Sequence, residues 1–142
     1  MGRVIFAARV ENLSDLYAAQ QGRITGEQVR FINLENALID TGATILSLPL
    51  SLIKQLGLWK VRTRQARTTT GVADFDIYSG VKLTIQGRDC ITDVAAIPDD
   101  CPPLIGVVPL ELMDFVVDPS KQQLVGNPEH GGAHMLDMFH AH

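Results

Sequence analysis

The sequence predicts an all-β-dominated, single-lobe barrel that carries two short helices. Strand-forming residues dominate residues 61–94, and short groups of turn-forming residues break this stretch into hairpins. Two prolines, Pro49 and Pro109, each stand at the start of a short apolar run with helical character. Together these signals favour a small protein built mainly from strands.

Length and composition indicate one globular domain. The chain has 142 residues, and folding can hide roughly 68–70% of the surface that an unfolded chain of this size exposes. Hydrophobic residues make up 46% of the chain and charged residues 20%, which favours a globular over a disordered protein. We expect a domain over residues 1–126, followed by a Gly- and His-rich tail or arm over residues 127–142.

The charge of the chain argues against a nucleic-acid partner. Twelve Lys and Arg residues stand against sixteen Asp and Glu residues, which leaves a net charge of −4. A protein that binds a phosphate backbone would instead be expected to carry a basic surface. The one basic cluster, Arg62, Arg64 and Arg67, alternates with polar residues in the manner of the solvent face of a strand.

Nothing in the sequence points to export or to a membrane. The apolar start of the chain is interrupted by Arg9 and is not followed by a small-residue cleavage site. No apolar run approaches the roughly 20 residues that span a bilayer. We therefore expect a cytoplasmic protein with no membrane partner, in which Cys90 and Cys101 are reduced.

Strands are predicted from apolar runs bounded by turn residues. Residues 3–11 are rich in Val, Ile and Phe, and residues 29–33 alternate between apolar and polar. Residues 37–39 are fully apolar and stop at a polar turn, which is the pattern of a buried strand. Residues 115–117 and 122–125 are predicted to be two strands joined by Asp-Pro-Ser-Lys.

Turns and helix ends are predicted from Gly and Pro. Residues 68–72, Ser79-Gly80 and Gln86-Gly87 are predicted to punctuate the hairpins. A proline suits the first position of a helix because its φ is already helical and no amide partner is needed there. The helix that follows Pro49 is predicted to end in a left-handed cap at Gly57.

The most informative point in the sequence is Asp40-Thr41-Gly42, directly after the apolar run at residues 37–39. A carboxylate at the end of a buried strand is held rigidly, and a glycine two residues later lets the backbone approach it closely. On its own, Asp-Thr-Gly is a common turn tripeptide. Its surroundings therefore decide its interpretation.

With those surroundings, the sequence resembles the retropepsin-like (retroviral-type) aspartic proteases. The resemblance covers most of residues 37–125 and implies a retropepsin-like acid protease barrel. The apolar strand before Asp40, the helix at Pro49, a hairpin tip at Gly71 and the run Leu104-Ile105-Gly106 before a second short helix occur in the family's order.

The resemblance implies an aspartic endopeptidase whose catalytic residues are Asp40, Thr41 and Gly42. The sequence contains one Asp-Thr-Gly and no Asp-Ser-Gly, so one chain holds half a site. We expect a homodimer in which each chain supplies one Asp40, with Thr41 implied to hydrogen-bond across to the other chain. No metal or cofactor is expected, because two carboxylates that share one proton can activate water themselves.

The resemblance also implies where an extended polypeptide substrate binds. The implied substrate-binding residues lie at three places: directly after the catalytic tripeptide, directly after the Leu-Ile-Gly run, and at the tip of a hairpin that serves as a flap. They are Ala43, Thr70, Gly71, Val72 and Val107. The chain departs from the family at two of these places. The hairpin tip has one glycine where flaps are often richer, and Val107 stands where viral members usually place Arg.

Two other interpretations compete with this one. A catalytically silent dimeric module of the same fold could hold a peptide without cleaving it, because a fold alone does not decide activity. The complete tripeptide at Asp40 favours catalysis over such a module. His130 and His134, at i and i+4, could ligate a metal if they lay on a helix. We expect these histidines, with His140 and His142, to be solvated in the tail.

Overall fold

The structure is a computed structural model that describes residues 5–139. Its strands are β1 (Ile5–Asn12), β2 (Phe31–Ile39), β3 (Leu46–Pro49), β4 (Trp59–Thr68), β5 (Gly71–Ile85), β6 (Arg88–Ile97), β7 (Leu104–Ile105), β8 (Phe115–Asp118) and β9 (Gln123–Gly126). Its helices are α1 (Leu13–Gln20), α2 (Leu50–Leu56) and α3 (Val107–Leu112), with short 3₁₀ turns at Gly26–Gln28 and Pro128–His130.

The main sheet closes on itself, which confirms the prediction of an all-β-dominated, single-lobe barrel. Its strand order is β1-β2-β7-β3-β6-β5-β4, and β1 also pairs antiparallel with β5. Strand β1 therefore lies between β2 and β5, so six strands form a ring. Strand β4 pairs with β5 outside the ring, and β8 and β9 form a separate hairpin.

The interior of the ring is aliphatic. Val10, Leu48, Leu83, Val94 and Ile105 come from five different strands, and each is fully buried. One face of α2 adds further apolar side chains to this cluster. Removing a side chain of this kind from water contributes about 1.5–3 kcal/mol, so the closed sheet is stabilised mainly by its filled interior.

The two predicted helices are present, with starting points that differ slightly from the proline positions. Pro49 is the last residue of β3 and the cap residue of α2, which begins at Leu50. Gly57 ends α2 with a φ of 67°, as predicted for a left-handed cap. Helix α3 begins at Val107, two residues before Pro109. Pro109 is tolerated there because it lies in the first turn, where the backbone amides have no partner within the helix.

Helix α1 was not predicted. Asn12 caps this helix by accepting a hydrogen bond from the Asp15 amide at 2.9 Å. The Asn12 side chain, which is buried, also donates to the Leu56 carbonyl at 2.7 Å. This single side chain therefore ends β1, starts α1 and fixes the end of α2.

Two predicted interruptions lie inside continuous strands. Ser79-Gly80 is not a turn but part of β5, where the pairing with β6 shifts register between Tyr78 and Val81. Residues 31–33 of the first predicted run and residues 37–39 lie in one strand, β2, whereas residues 29–30 precede that strand. The turn at Gln86-Gly87 is present, with φ values of 50° and 79°, and links β5 to β6.

Within residues 5–139, no helix is long and apolar enough to cross a membrane.

The residues of the Arg cluster lie on β4, whose ten residues are all exposed, as predicted for a solvent face. Arg62 approaches Asp93 at 3.8 Å, and the neighbouring Lys60 approaches Asp76 at 3.2 Å. Exposed pairs of this kind stabilise a fold by at most about 1 kcal/mol.

Candidate active site

The Asp40 loop follows the end of β2 and is anchored by β7. Leu38 and Ile39 pair in parallel with Leu104 and Ile105, so β7 lies directly beside the end of β2. The Asp40 amide continues this pairing by donating to the Ile105 carbonyl at 3.0 Å. The backbone of Asp40 is thus fixed by the buried part of the sheet, while its side chain lies beyond the strand end.

The loop turns immediately after Asp40 and folds back on the carboxylate. The Gly42 amide donates to Asp40 Oδ1 at 2.9 Å, and the Ala43 amide donates to the Asp40 carbonyl at 3.0 Å. A Cβ on Gly42 would lie 3.2 Å from Asp40 Oδ1, which is tighter than ordinary contact. Glycine at this position therefore leaves room for a backbone amide to approach and orient the carboxylate.

Helix α3 holds the other end of the loop. The Val107 amide donates to the Ala43 carbonyl and the Val108 amide to the Thr44 carbonyl, both at 2.9 Å. Gly106 makes this approach possible, because a Cβ there would lie 2.6 Å from the carbonyl carbon of Thr44. The Asp40 loop is consequently fixed between β7 on one side and the first turn of α3 on the other.

The structure brings together five of the predicted site residues. Asp40, Thr41 and Gly42 are exposed on the loop, and Ala43 and Val107 are half-buried beneath it, joined by their backbones. The exposure of Asp40 and Thr41 leaves both side chains accessible to a substrate or to a second chain. Their catalytic and substrate-binding roles remain predictions.

The predicted flap residues Thr70, Gly71 and Val72 lie at the tip of the long hairpin formed by β4 and β5. All three are exposed, and Val72 is 65% exposed, so its apolar side chain faces solvent in the single chain. Gly71 has a φ of 135°, a conformation that L-residues rarely adopt, and its carbonyl accepts from Thr68 Oγ1 at 2.9 Å. These residues form the turn of a β-hairpin, and the action of this hairpin as a flap is a prediction.

Asp40 does not line either of two prominent open cavities on the described part of the chain. One, of about 330 Å³, is lined by apolar residues that include Ile45 and Val108, which adjoin the Asp40 loop, and by the polar residues Ser79, Thr92 and Asp93. A larger groove of about 910 Å³ runs between α2 and the loop before β7. In a single chain the Asp40 carboxylate thus faces open solvent.

The structure also contains a buried polar cluster that the sequence interpretation missed. His130 was expected to be solvated, but its side chain is only 9% exposed and contacts Asp114. The i and i+4 pair does not lie on a helix, because a 3₁₀ turn ends at His130 and Gly131 follows in the left-handed conformation. The signal was Asn127-Pro128, a typical start of a helical turn. His140 and His142 lie outside the described residues.

Comparisons with known proteins give little at the level of sequence. No family model matches the chain, and a search of curated proteins gives no significant match. Among solved structures, the chain is similar to the protease of simian foamy virus (mac), known from a solution structure. The two are 22% identical, the match covers 75% of this chain and 90% of that chain, and the TM-score is 0.47. A likeness of this size does not indicate what this chain does.

Proposed function

We propose that the chain is one half of an aspartic endopeptidase, in which Asp40 from each of two identical chains forms the catalytic dyad. The observation that carries the proposal is the fixed, exposed Asp40 carboxylate, which lies at the end of a buried strand and accepts a hydrogen bond from the Gly42 amide. Asp-Thr-Gly occurs once in the chain, so a dyad requires a second copy.

The proposed chemistry needs no group beyond the two carboxylates and a water molecule. Two carboxylates a few ångströms apart cannot both ionise easily, so the pair holds one proton over the working pH range. The ionised carboxylate takes a proton from the water as it attacks the scissile carbonyl. The protonated carboxylate donates its proton toward the carbonyl oxygen as that oxygen becomes negative.

The proposed substrate is an extended polypeptide. A peptide in strand conformation would expose its backbone groups to the Asp40 loop from one side and to the hairpin tip from the other. Ala43 and Val107 would contact its side chains near the scissile bond, and Thr70, Gly71 and Val72 would cover it. Closure of the tip would exclude water from the reacting bond.

The test is a cleavage screen of the full-length protein against a denatured proteome across a range of pH. We expect peptide cleavage with a bell-shaped pH dependence, because activity requires one ionised and one protonated carboxylate. A peptide mimic that carries a hydroxyl in place of the scissile carbonyl should inhibit, since it resembles the tetrahedral transition state. Metal chelators should leave the rate unchanged.

Two results would contradict the proposal. Loss of cleavage on chelation would point to a metal-dependent reaction instead of a carboxylate dyad. Binding of denatured peptides without any cleavage between acid and neutral pH would favour the silent peptide-binding module.

A further inference from the structure

A buried ion pair joins the C-terminal segment, here residues 127–137, to the end of α3. His130 Nδ1 lies 2.7 Å from Asp114 Oδ2, and the two side chains are only 9% and 5% exposed. Asp114 stands just after α3 with a φ of 58°, so the chain turns sharply at this carboxylate. No step of the proposed peptidase reaction uses either group.

The geometry favours a charged imidazole. His130 Nε2 lies 3.1 Å from Asp137 Oδ1, so both ring nitrogens face carboxylate oxygens, which only accept hydrogen bonds at neutral pH. A neutral imidazole donates from one nitrogen only and would leave the other contact unsatisfied. Asp137 is 82% exposed, so it stabilises the charged imidazole less than the buried Asp114 does.

The neighbouring charges are consistent with that state. Arg88 contributes a cation to the cluster, and its guanidinium donates to the backbone carbonyls of Asp114, at 2.9 Å, and of Gly132. Hydrogen bonding to Asp114 and then to Asp137 raises the pKa of His130 above its ordinary value, against the opposing effect of burial.

Asp114 is held in its ionised form by several donors. Burial favours the neutral acid, but hydrogen bonds from His130, the Met135 amide and Asn127 leave the pKa of its carboxyl below the ordinary value. The Met135 amide donates to Asp114 Oδ2 at 3.1 Å. This amide therefore reports directly on whether the C-terminal segment is attached to Asp114.

Backbone hydrogen bonds beside the ion pair fix the end of the helix that supports the Asp40 loop. The Asn127 amide donates to the Asp114 carbonyl at 3.0 Å, and Arg88 donates to the carbonyls of both Met113 and Asp114. Helix α3 has six residues and is about 9 Å long. Its first turn carries the Val107 and Val108 amides that hold the Asp40 loop, so the ion pair and the loop are attached to opposite ends of one short helix.

We propose that His130 and Asp114 form a pH-dependent latch that positions α3 and, through it, the Asp40 loop. In this role His130 is a positioning residue that contacts neither substrate nor Asp40. The link to catalysis depends on the proposed peptidase function, whereas the latch itself can be measured without any substrate.

The direction of the pH dependence follows from the two shifts. A group whose pKa is raised in the closed state stabilises that state below its ordinary pKa, here 6.5, and loses the effect as pH rises through the raised value. The carboxyl of Asp114, with its lowered pKa, loses its contribution only as pH falls below about 4. The ion pair thus stabilises the closed latch most strongly from about pH 4 to about pH 6.5, and this stabilisation is lost as pH rises above 6.5.

The direct test is an NMR titration of the full-length protein, with amide exchange measured at each pH. We expect the His130 ring to titrate above 6.5. Between 6.5 and that higher value, opening measured at the Met135 amide should increase up to about tenfold per pH unit, after correction for intrinsic exchange. The Val107 and Val108 amides should show the same step if α3 transmits it.

Variants separate a latch from an ordinary structural contact. His130→Gln should remove the pH step, and Asp137→Asn, which changes an exposed partner, should shift the step to lower pH without unfolding the protein. Glu129→Gln, a neighbouring exposed change, should leave it in place. In the peptidase assay, Asp137→Asn should lower the rate relative to the wild type most strongly between pH 6.5 and the wild-type His130 titration, in addition to the alkaline fall that the dyad itself produces.

Three outcomes would overturn the latch: a His130 that titrates at or below 6.5, a Met135 amide with no pH step, or Val107 and Val108 amides that do not follow His130. If the amide steps appear but no peptide is cleaved at any pH, the latch stands and the proposed peptidase function fails.

Discussion

Replacing Asp40 with Asn should abolish peptide cleavage and leave the fold intact. The amide keeps the shape of the side chain and can still accept the hydrogen bond from Gly42, but it cannot take a proton from water or share one with its partner. Loss of acid–base catalysis alone lowers rates by about 10²–10⁴-fold, and loss of the only dyad should reach at least that range. The measurement is the rate of peptide cleavage, with circular dichroism as a check on folding.

Asp89→Asn is a matched control, because it removes one carboxylate from an exposed position on β6, away from the loop. Its cleavage rate should equal that of the wild type. An Asp40→Asn protein that cuts as fast as this control would show that Asp40 is not the catalytic acid.

Replacing Gly106 with Ala should destabilise the protein and displace the Asp40 loop. The new Cβ would lie 2.6 Å from the Thr44 carbonyl carbon and 2.7 Å from the Ala43 carbonyl oxygen, which are backbone atoms that cannot rotate away. Forcing an extra methyl group into packed structure costs about 1–3 kcal/mol. We expect a loss of stability in this range by urea unfolding, together with a fall in kcat.

Gly26→Ala provides the comparison, since a Cβ at Gly26 would meet nothing within 4 Å. Its stability should stay within about 0.5 kcal/mol of the wild type. Equal stability and activity for the two alanine variants would mean that α3 does not approach the loop as closely as described.

The part of the molecule that could be predicted from sequence is the part specified by local chemistry. An apolar strand that ends in Asp-Thr-Gly carries its own turn, and the Gly42 amide completes it without help from distant residues. Gly57 likewise ends its helix through its own left-handed backbone. These features depend on residues within a few positions of one another.

The features that escaped prediction depend on residues far apart in the chain. Asn12 resembles a loop residue until its side chain is seen to bond with Leu56, 44 positions away. Ser79-Gly80 resembles a turn, but β5 pairs with β6 both before it, at Tyr78, and after it, at Val81, so the strand continues in the same direction. His130 resembles a solvated tail residue, and only the fold brings Asp114 to it. At Ser79-Gly80 and at His130, tertiary contacts override the local pattern, whereas the Asn12 cap on the Asp15 amide is a local signal for α1.

Mixing equal amounts of wild-type and Asp40→Asn protein, under conditions that allow chains to exchange, tests whether two chains share one site. If two chains share one site, random pairing leaves on the order of a quarter of the dimers with two Asp40 residues, so the mutant lowers the activity of the wild type present. Specific activity should also fall on dilution, as the dimer dissociates. Constant activity per wild-type chain through both mixing and dilution would mean that each chain holds a complete site, which would contradict the shared Asp40 dyad.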